Sequence, residues 1–191
     1  MSPKKSMRAV ALSLPLSFLL GVGCAHRASS GYYDAKELEA RSLGSISKLT
    51  TQGGYWFASQ PSQQDFALAK DEGFETIVNL RQDSELPWEE RRIVEGLGMN
   101  YVHEPISGVR DLTDERLGQL RELLRDVKKP AMIHCASSNR VGAIWYVSRV
   151  LDQGVSPDAA LAEAKRAGLR SEALIDRVQK YVAQERDYRG F

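Results

Sequence analysis

The chain has 191 residues, of which 42% are hydrophobic, 27% charged and 8% aromatic; this length accommodates one domain plus an appendage, and the composition excludes a fully disordered chain, a collagen-like fibre and a polytopic membrane protein. Its two cysteines cannot make a disulfide-dense scaffold. The formal charge is +1, but Lys4, Lys5 and Arg8 lie in the first 23 residues without an acid to offset them; from Cys24 onward 23 basic residues face 25 acidic ones, a net of −2, which offers no general electrostatic reason to expect nucleic-acid binding.

The amino terminus reads as an address. A basic stretch, Met1 to Arg8, precedes fourteen mostly apolar residues, Ala9 to Val22, broken by Pro15. That run falls short of the roughly 20 residues that span a bilayer as a helix, so residues 1–23 are expected to be a signal peptide. Leu20-Gly21-Val22-Gly23-Cys24 resembles a bacterial lipoprotein cleavage box, with the leucine one place further from the cysteine than usual. The resemblance implies lipidation of Cys24, export to the periplasm or outer membrane, and a membrane partner through that anchor. A lipidated Cys24 cannot pair with Cys135, which then becomes the lone thiol of an exported protein. Residues 24–52 carry Ser29, Ser30, Gly31, Gly44 and Ser45 with little apolar periodicity, and read as a tether with a short helix over 34–41. Residues 53–191 form the expected domain.

From Tyr55 strand and helix alternate. Tyr55 to Ser59 reads as a strand, and a helix follows with Ser62 as cap, Asp65 three residues on and Gly73 as its stop. Phe74 to Leu80 and Asn100 to Ile106 are β-rich runs on either side of a helical stretch over 89–97. Thr113 to Val127 places Leu117, Leu120 and Leu124 at helical spacing, and Pro130 introduces the short strand Ala131 to His134. An apolar helix over 141–151 is followed by one with Ser156 as cap, Pro157 at its first position and Gly168 past its end, and by another from Ser171 to about Tyr188. The order implies an α/β domain with a mainly parallel sheet of about four to five strands, helices on both faces and extra helices at the carboxyl end.

The chemistry sits after the last strand. Cys135 stands at its carboxyl end, Ala136-Ser137-Ser138-Asn139 form a short polar loop, and a helix begins near Arg140. Parallel sheets bind ligands at this edge, and free N–H groups at a helix start attract an anion. A thiol held there is expected to favour its thiolate, which gains from the helix dipole, the loop amides and the Arg140 guanidinium. Arg140 offers a planar fork for two oxygens of a phosphate or sulfate, and the amides of Ala136, Ser137, Ser138 and Asn139 can take the others. Phosphoryl transfer to sulfur follows from such a pairing of nucleophile and oxyanion cradle. The bland alternative makes Cys135 a core residue and Arg140 a solvated helix-end charge, although a cation at a helix start is unfavourable without an anion. No phosphate-binding glycine motif for nucleotides and no paired ligand spacing for a metal is present, so no cofactor is expected.

His134-Cys135 followed by four residues and Arg140 resembles the active-site loop of the cysteine-dependent phosphatase superfamily. With 58–62, Gly73 to Arg81 and His103-Glu104-Pro105-Ile106, the run from Tyr55 to Gly168 is similar to the beta-lactamase-hydrolase-like protein phosphatase domain, a dual-specificity-phosphatase-like group. The resemblance implies a metal-independent phosphomonoester hydrolase acting on a phosphorylated protein or small molecule. It makes Cys135 the nucleophile that forms a phosphocysteine, Arg140 the ligand of the transferred phosphate, and an aspartate after the third strand the general acid. Asp111 is the choice by position, with Asp114 as the alternative. It also gives His134 a part in setting the loop by hydrogen bonds. Ser138 stands where the closer relatives usually have Gly, leaving Asn139 to take any left-handed backbone conformation. Val141 occupies a position where many phosphatases place Ser or Thr, a role open to Ser137 or Ser138. The four-residue spacing is shared with rhodanese domains, so a sulfurtransferase using the same cysteine is one rival and a non-catalytic phosphate-binding module is the other.

Overall fold

The computed structural model describes residues 37–190; the expected signal peptide and Cys24 lie outside them. Six strands, β1 (Glu39–Ala40), β2 (Leu49–Gln52), β3 (Tyr55–Ala58), β4 (Thr76–Asn79), β5 (Asn100–His103) and β6 (Ala131–His134), make one sheet in the order β1-β2-β3-β6-β4-β5. The pairs β3 with β6, β6 with β4 and β4 with β5 are parallel, whereas β1, β2 and β3 pair antiparallel. Six helices accompany them: α1 (Gln63–Asp71), α2 (Glu90–Gly96), α3 (Asp114–Asp126), α4 (Asn139–Leu151), α5 (Pro157–Ala167) and α6 (Glu172–Arg189).

Side chains alternate across the sheet as strand geometry requires. Tyr55, Phe57, Val78, Ala131 and Ile133 point into the larger core with α3, α4, α5 and α6, while Ala58, Ile77 and Met132 join Phe66, Ala69 and Val94 in the smaller core under α1 and α2. Each large side chain removed from water in these cores contributes about 1.5–3 kcal/mol. Trp145, stacked at an angle on Phe57 with ring centroids 4.6 Å apart, marks α4 as the central helix of the larger layer. The expected caps form at α1 and α5: Ser62 and Asp65 close a capping box at α1, Ser156 caps α5, and Gly168 ends it with φ of 126°; Thr113, read as the first residue of its helix, instead caps α3.

The segment read as a tether departs from expectation. Residues 39–52 supply two strands, residues 39–40 are extended rather than helical, and the sheet gains an antiparallel extension. The physical reason lies in a few contacts that local composition does not reveal. Ile46 and Leu49 are buried, and Asp65 accepts from Ser45 N at 2.8 Å and Ser45 Oγ at 2.7 Å, which ties the segment to the start of α1.

Candidate active site

The central position of β6 sets up the site. Its neighbours β3 and β4 run parallel to it, with His134 level with both Ala58 and Asn79, so three strand ends converge on Cys135. Cys135 N donates to Ala58 O at 3.3 Å and Leu80 N to His134 O at 2.9 Å. The chain then turns through Ala136, Ser137 and Ser138 into α4, whose first helix-type bond is Gly142 N to Ser138 O at 2.9 Å. The N–H groups of Ala136, Ser137, Asn139, Arg140 and Val141 bond to nothing among the described residues. A helix start always leaves a few such donors; here the two preceding loop amides extend the row around the cysteine.

The turn is built on Ser138, not on Asn139. Ser138 has φ 62° and ψ 3°, the one non-glycine residue with positive φ among those described. A left-handed serine costs roughly 1–2 kcal/mol, and tertiary packing holds it: a Cβ on Gly168 would lie 2.7 Å from Ser138 Cβ, so only glycine lets the end of α5 press on the loop. Asn139, freed from that duty, is the first residue of α4, and its Oδ1 accepts from Arg170 N at 2.8 Å and Ser171 N at 3.2 Å. Arg170 in turn donates from Nη2 to Ser137 Oγ at 2.7 Å and from Nη1 to Ser137 O at 3.1 Å. Ser138 Oγ, buried, has no partner.

Arg140 faces the cysteine but is also claimed by an acid. Its fork meets Glu85 with Nη1 to Oε2 and Nη2 to Oε1 both at 2.7 Å, and Nη1 also donates to Ile106 O at 2.8 Å and Leu80 O at 3.1 Å. Glu85, and after it the charge and hydrogen bonding of Cys135, hold the guanidinium above its ordinary range. The same contact lowers the Glu85 carboxyl to about 2. Cys135 itself is only 1% exposed, packed into the larger core below the turn that follows it. Glu85 escaped the sequence reading because Asp83-Ser84-Glu85 reads as a run of solvated loop residues; only the adjacency of β4 and β6 brings it to Arg140.

Behind the cysteine a second acid is buried. Glu90, 1% exposed, accepts from Asn79 Nδ2 at 2.7 Å, Tyr101 Oη at 3.1 Å and Gln60 Nε2 at 2.9 Å, and lies 2.9 Å from His134 Nε2. Burial pushes its carboxyl up, but His134 first and then Gln60 and Tyr101 outweigh that and leave it below the usual range. The His134 ring meets Glu90 through Nε2 while its buried Nδ1 has no partner among the described residues, so its side chain braces the wall behind the loop rather than bonding the loop itself; Glu90 was missing from the sequence reading for the same reason as Glu85. Arg81 belongs to this wall, donating from Nη1 to Gln60 Oε1 at 2.5 Å and bonding the Glu85 carbonyl.

The two acid candidates separate. Asp114 sits in the first turn of α3 and pairs with Arg177 at 2.5 Å. Asp111 ends a short turn over 109–111 on the loop that leaves Ile106, whose carbonyl rests on Arg140. Its Oδ2 accepts from Ser107 N at 2.5 Å and also from Ser107 Oγ, and these bonds hold its carboxyl below the usual range. Among the described residues no group of three His, Cys, Asp or Glu could hold a metal ion.

Residues 50–152 match the model of the beta-lactamase hydrolase-like protein, phosphatase-like domain. A beta-lactamase hydrolase-like protein of Agrobacterium fabrum is 27% identical over 100 residues, 50% of this chain and 23% of that protein; a Xylella fastidiosa relative is 22% identical over 70% of this chain and 32% of its own length. The chain thus spans about a quarter to a third of these curated relatives. Among solved structures, TpbA of P. aeruginosa in complex with pTyr is similar at TM-score 0.58 and 23% identity, covering 75% of this chain and 88% of its own. Because the match to that domain model spans more than half of its residues, the chain belongs to the beta-lactamase hydrolase-like phosphatase-like domain family.

Proposed function

We propose that the protein is a metal-independent phosphomonoester hydrolase that works through a cysteinyl-phosphate intermediate. The observation that carries this is the row of unclaimed amides around Cys135, with the Arg140 guanidinium beside it. Backbone donors and a fixed guanidinium stabilise charge developing on equatorial phosphate oxygens without reorganising. The Cys135 thiolate attacks phosphorus while the bond to the leaving oxygen breaks, and that oxygen takes a proton from Asp111. Water then attacks the phosphocysteine, Asp111 removes its proton, and inorganic phosphate and the thiolate are released. Asp111 is ionised in the free protein; a phosphate dianion arriving beside it raises its proton affinity. Glu85 occupies both Nη atoms of Arg140 while the substrate is absent, and an incoming phosphate takes its place there.

Hydrolysis of p-nitrophenyl phosphate in EDTA tests the proposal, with thiosulfate and cyanide as the competing assay. Turnover of the phosphate ester is expected, with Cys135→Ser losing at least about 10³-fold while still binding phosphate. Turnover in the sulfur-transfer assay alone would overturn it, and phosphate binding without any turnover would make the domain a phosphate-binding module.

Export and anchoring are part of the same proposal. The protein is read as a periplasmic or outer-membrane lipoprotein held through Cys24, acting on a phosphorylated protein or small phosphomonoester there. Cys24→Ala should move it from the membrane fraction to the soluble one; unchanged fractionation would remove the anchor.

A further inference from the structure

Beside the cysteine loop lies a second cavity of about 380 Å³, and Ala136 and Ser137 of the loop form part of its wall. The remaining wall brings together three cations from segments far apart in sequence: Lys48 at the start of β2, Lys165 in the last turn of α5, and Arg170 between α5 and α6. No acid lines it. Lys48 and Lys165 make no ion pair among the described residues, and Arg170 spends its donors on Ser137 Oγ and on the carbonyls of Ser137 and Gly168. Other arginines of the domain, Arg121, Arg140 and Arg149, are matched to carboxylates. Three unmatched cations around one concavity raise the local concentration of anions.

We propose that this groove is a second anion subsite, and that the substrate carries a further phosphate next to the one that Cys135 removes. The inference rests on the phosphatase reading and narrows its substrate class to bisphosphorylated small molecules or headgroups. The volume suits such a compact ligand. The wall offers no aromatic ring for a phosphoamino acid side chain to stack on; beside the three cations it carries three serines and one large apolar residue, Leu169. Arg170 couples the two sites physically, because the guanidinium that faces the groove also holds Ser137 of the cradle.

The ratio of kcat/KM for a bisphosphate over its monophosphate measures the subsite. Inositol bisphosphate in solution and phosphatidylinositol bisphosphate in phosphatidylcholine vesicles, each against the matching monophosphate, separate a free ligand from a headgroup. An exposed cation–phosphate contact multiplies affinity up to about fivefold, so the ratio is expected at about ten or more in one arm. It should fall below about three in Lys48→Gln/Lys165→Gln, and shrink as salt screens the contact. A ratio near one in both arms, or one unchanged in the double variant, overturns the subsite. If p-nitrophenyl phosphate and both monophosphates resist hydrolysis, the phosphatase reading fails, and calorimetry on Cys135→Ser decides the subsite: tighter binding of the bisphosphate, lost with the two lysines, upholds it, and equal binding overturns it.

Discussion

Two arginines on α4 make the same bond and have different surroundings. Arg140 grips Glu85 with both Nη atoms at 2.7 Å; two and a half turns on, Arg149 grips Glu163 with Nε at 2.6 Å and Nη2 at 2.9 Å. Around Arg149 every neighbour is structural, with Gln153 on Nη1 and the Trp145 ring 5.6 Å away. Arg140 stands instead beside Cys135 and amides that no described residue satisfies. A bidentate arginine–carboxylate pair is therefore no sign of a site by itself; donors left without an acceptor around it are.

The largest effect should come from breaking that asymmetry. Arg140→Lys keeps the charge and loses the fork, and should lower kcat for p-nitrophenyl phosphate about 10²–10³-fold. Arg149→Lys should leave kcat within about twofold and instead destabilise the fold by about 1–3 kcal/mol in urea melts. Equal losses of activity in the two variants would erase the distinction drawn between them.

Gly168→Ala probes the packing behind the loop. The new methyl would meet Ser138 Cβ at 2.7 Å at a backbone φ of 126°, so stability should fall by about 2–3 kcal/mol and turnover at least about tenfold. Full activity in a folded variant would mean that α5 does not brace the cradle.

Glu85 sharpens the comparison through pH. Its folded carboxyl is held at about 2 against 4.5, so the Arg140 pair stabilises the native state fully above about pH 4.5 and loses that contribution as pH falls toward 2. The difference in stability between the parent and Glu85→Gln should close over that window. A difference independent of pH from 2 to 7 would show that the pair contributes through shape alone.

The smallest effect is expected at Ser138→Gly, which relieves a left-handed residue and removes a buried hydroxyl without a partner. Thermal stability should rise by about 1 kcal/mol or less, with turnover unchanged. A loss of turnover would assign the hydroxyl a role in releasing the cysteine, the part that Val141 cannot take.

Much of this was readable in the chain. Ser62 with Asp65, Ser156 with Pro157, and Gly168 are local signals with local causes, and each marked a helix end correctly. Cys135 and Arg140 were legible because their spacing is set within a single turn. What stayed hidden depends on pairing between distant segments: Thr50 and Thr51 look like linker until they lie against Phe57 and Trp56, and Glu85, Glu90 and Arg170 look like surface charges until β4 and the α5–α6 turn close around β6. The left-handed position went to Ser138 because the tight approach of Gly168 fixes the turn there, which no propensity scale encodes.

The middle place of β6 in the sheet has a consequence for biogenesis. Strand β6, which leads into Cys135, completes its hydrogen bonds only after residues 55–58 and 76–79 are both aligned, and the loop that follows is locked by residues near 168–171 that are synthesised later still. Such late, distant closure slows assembly, but it also means that nascent or truncated chains ending before that point carry the thiol without the closed turn around it. The turn after β6 thus takes its final form only when the domain is whole.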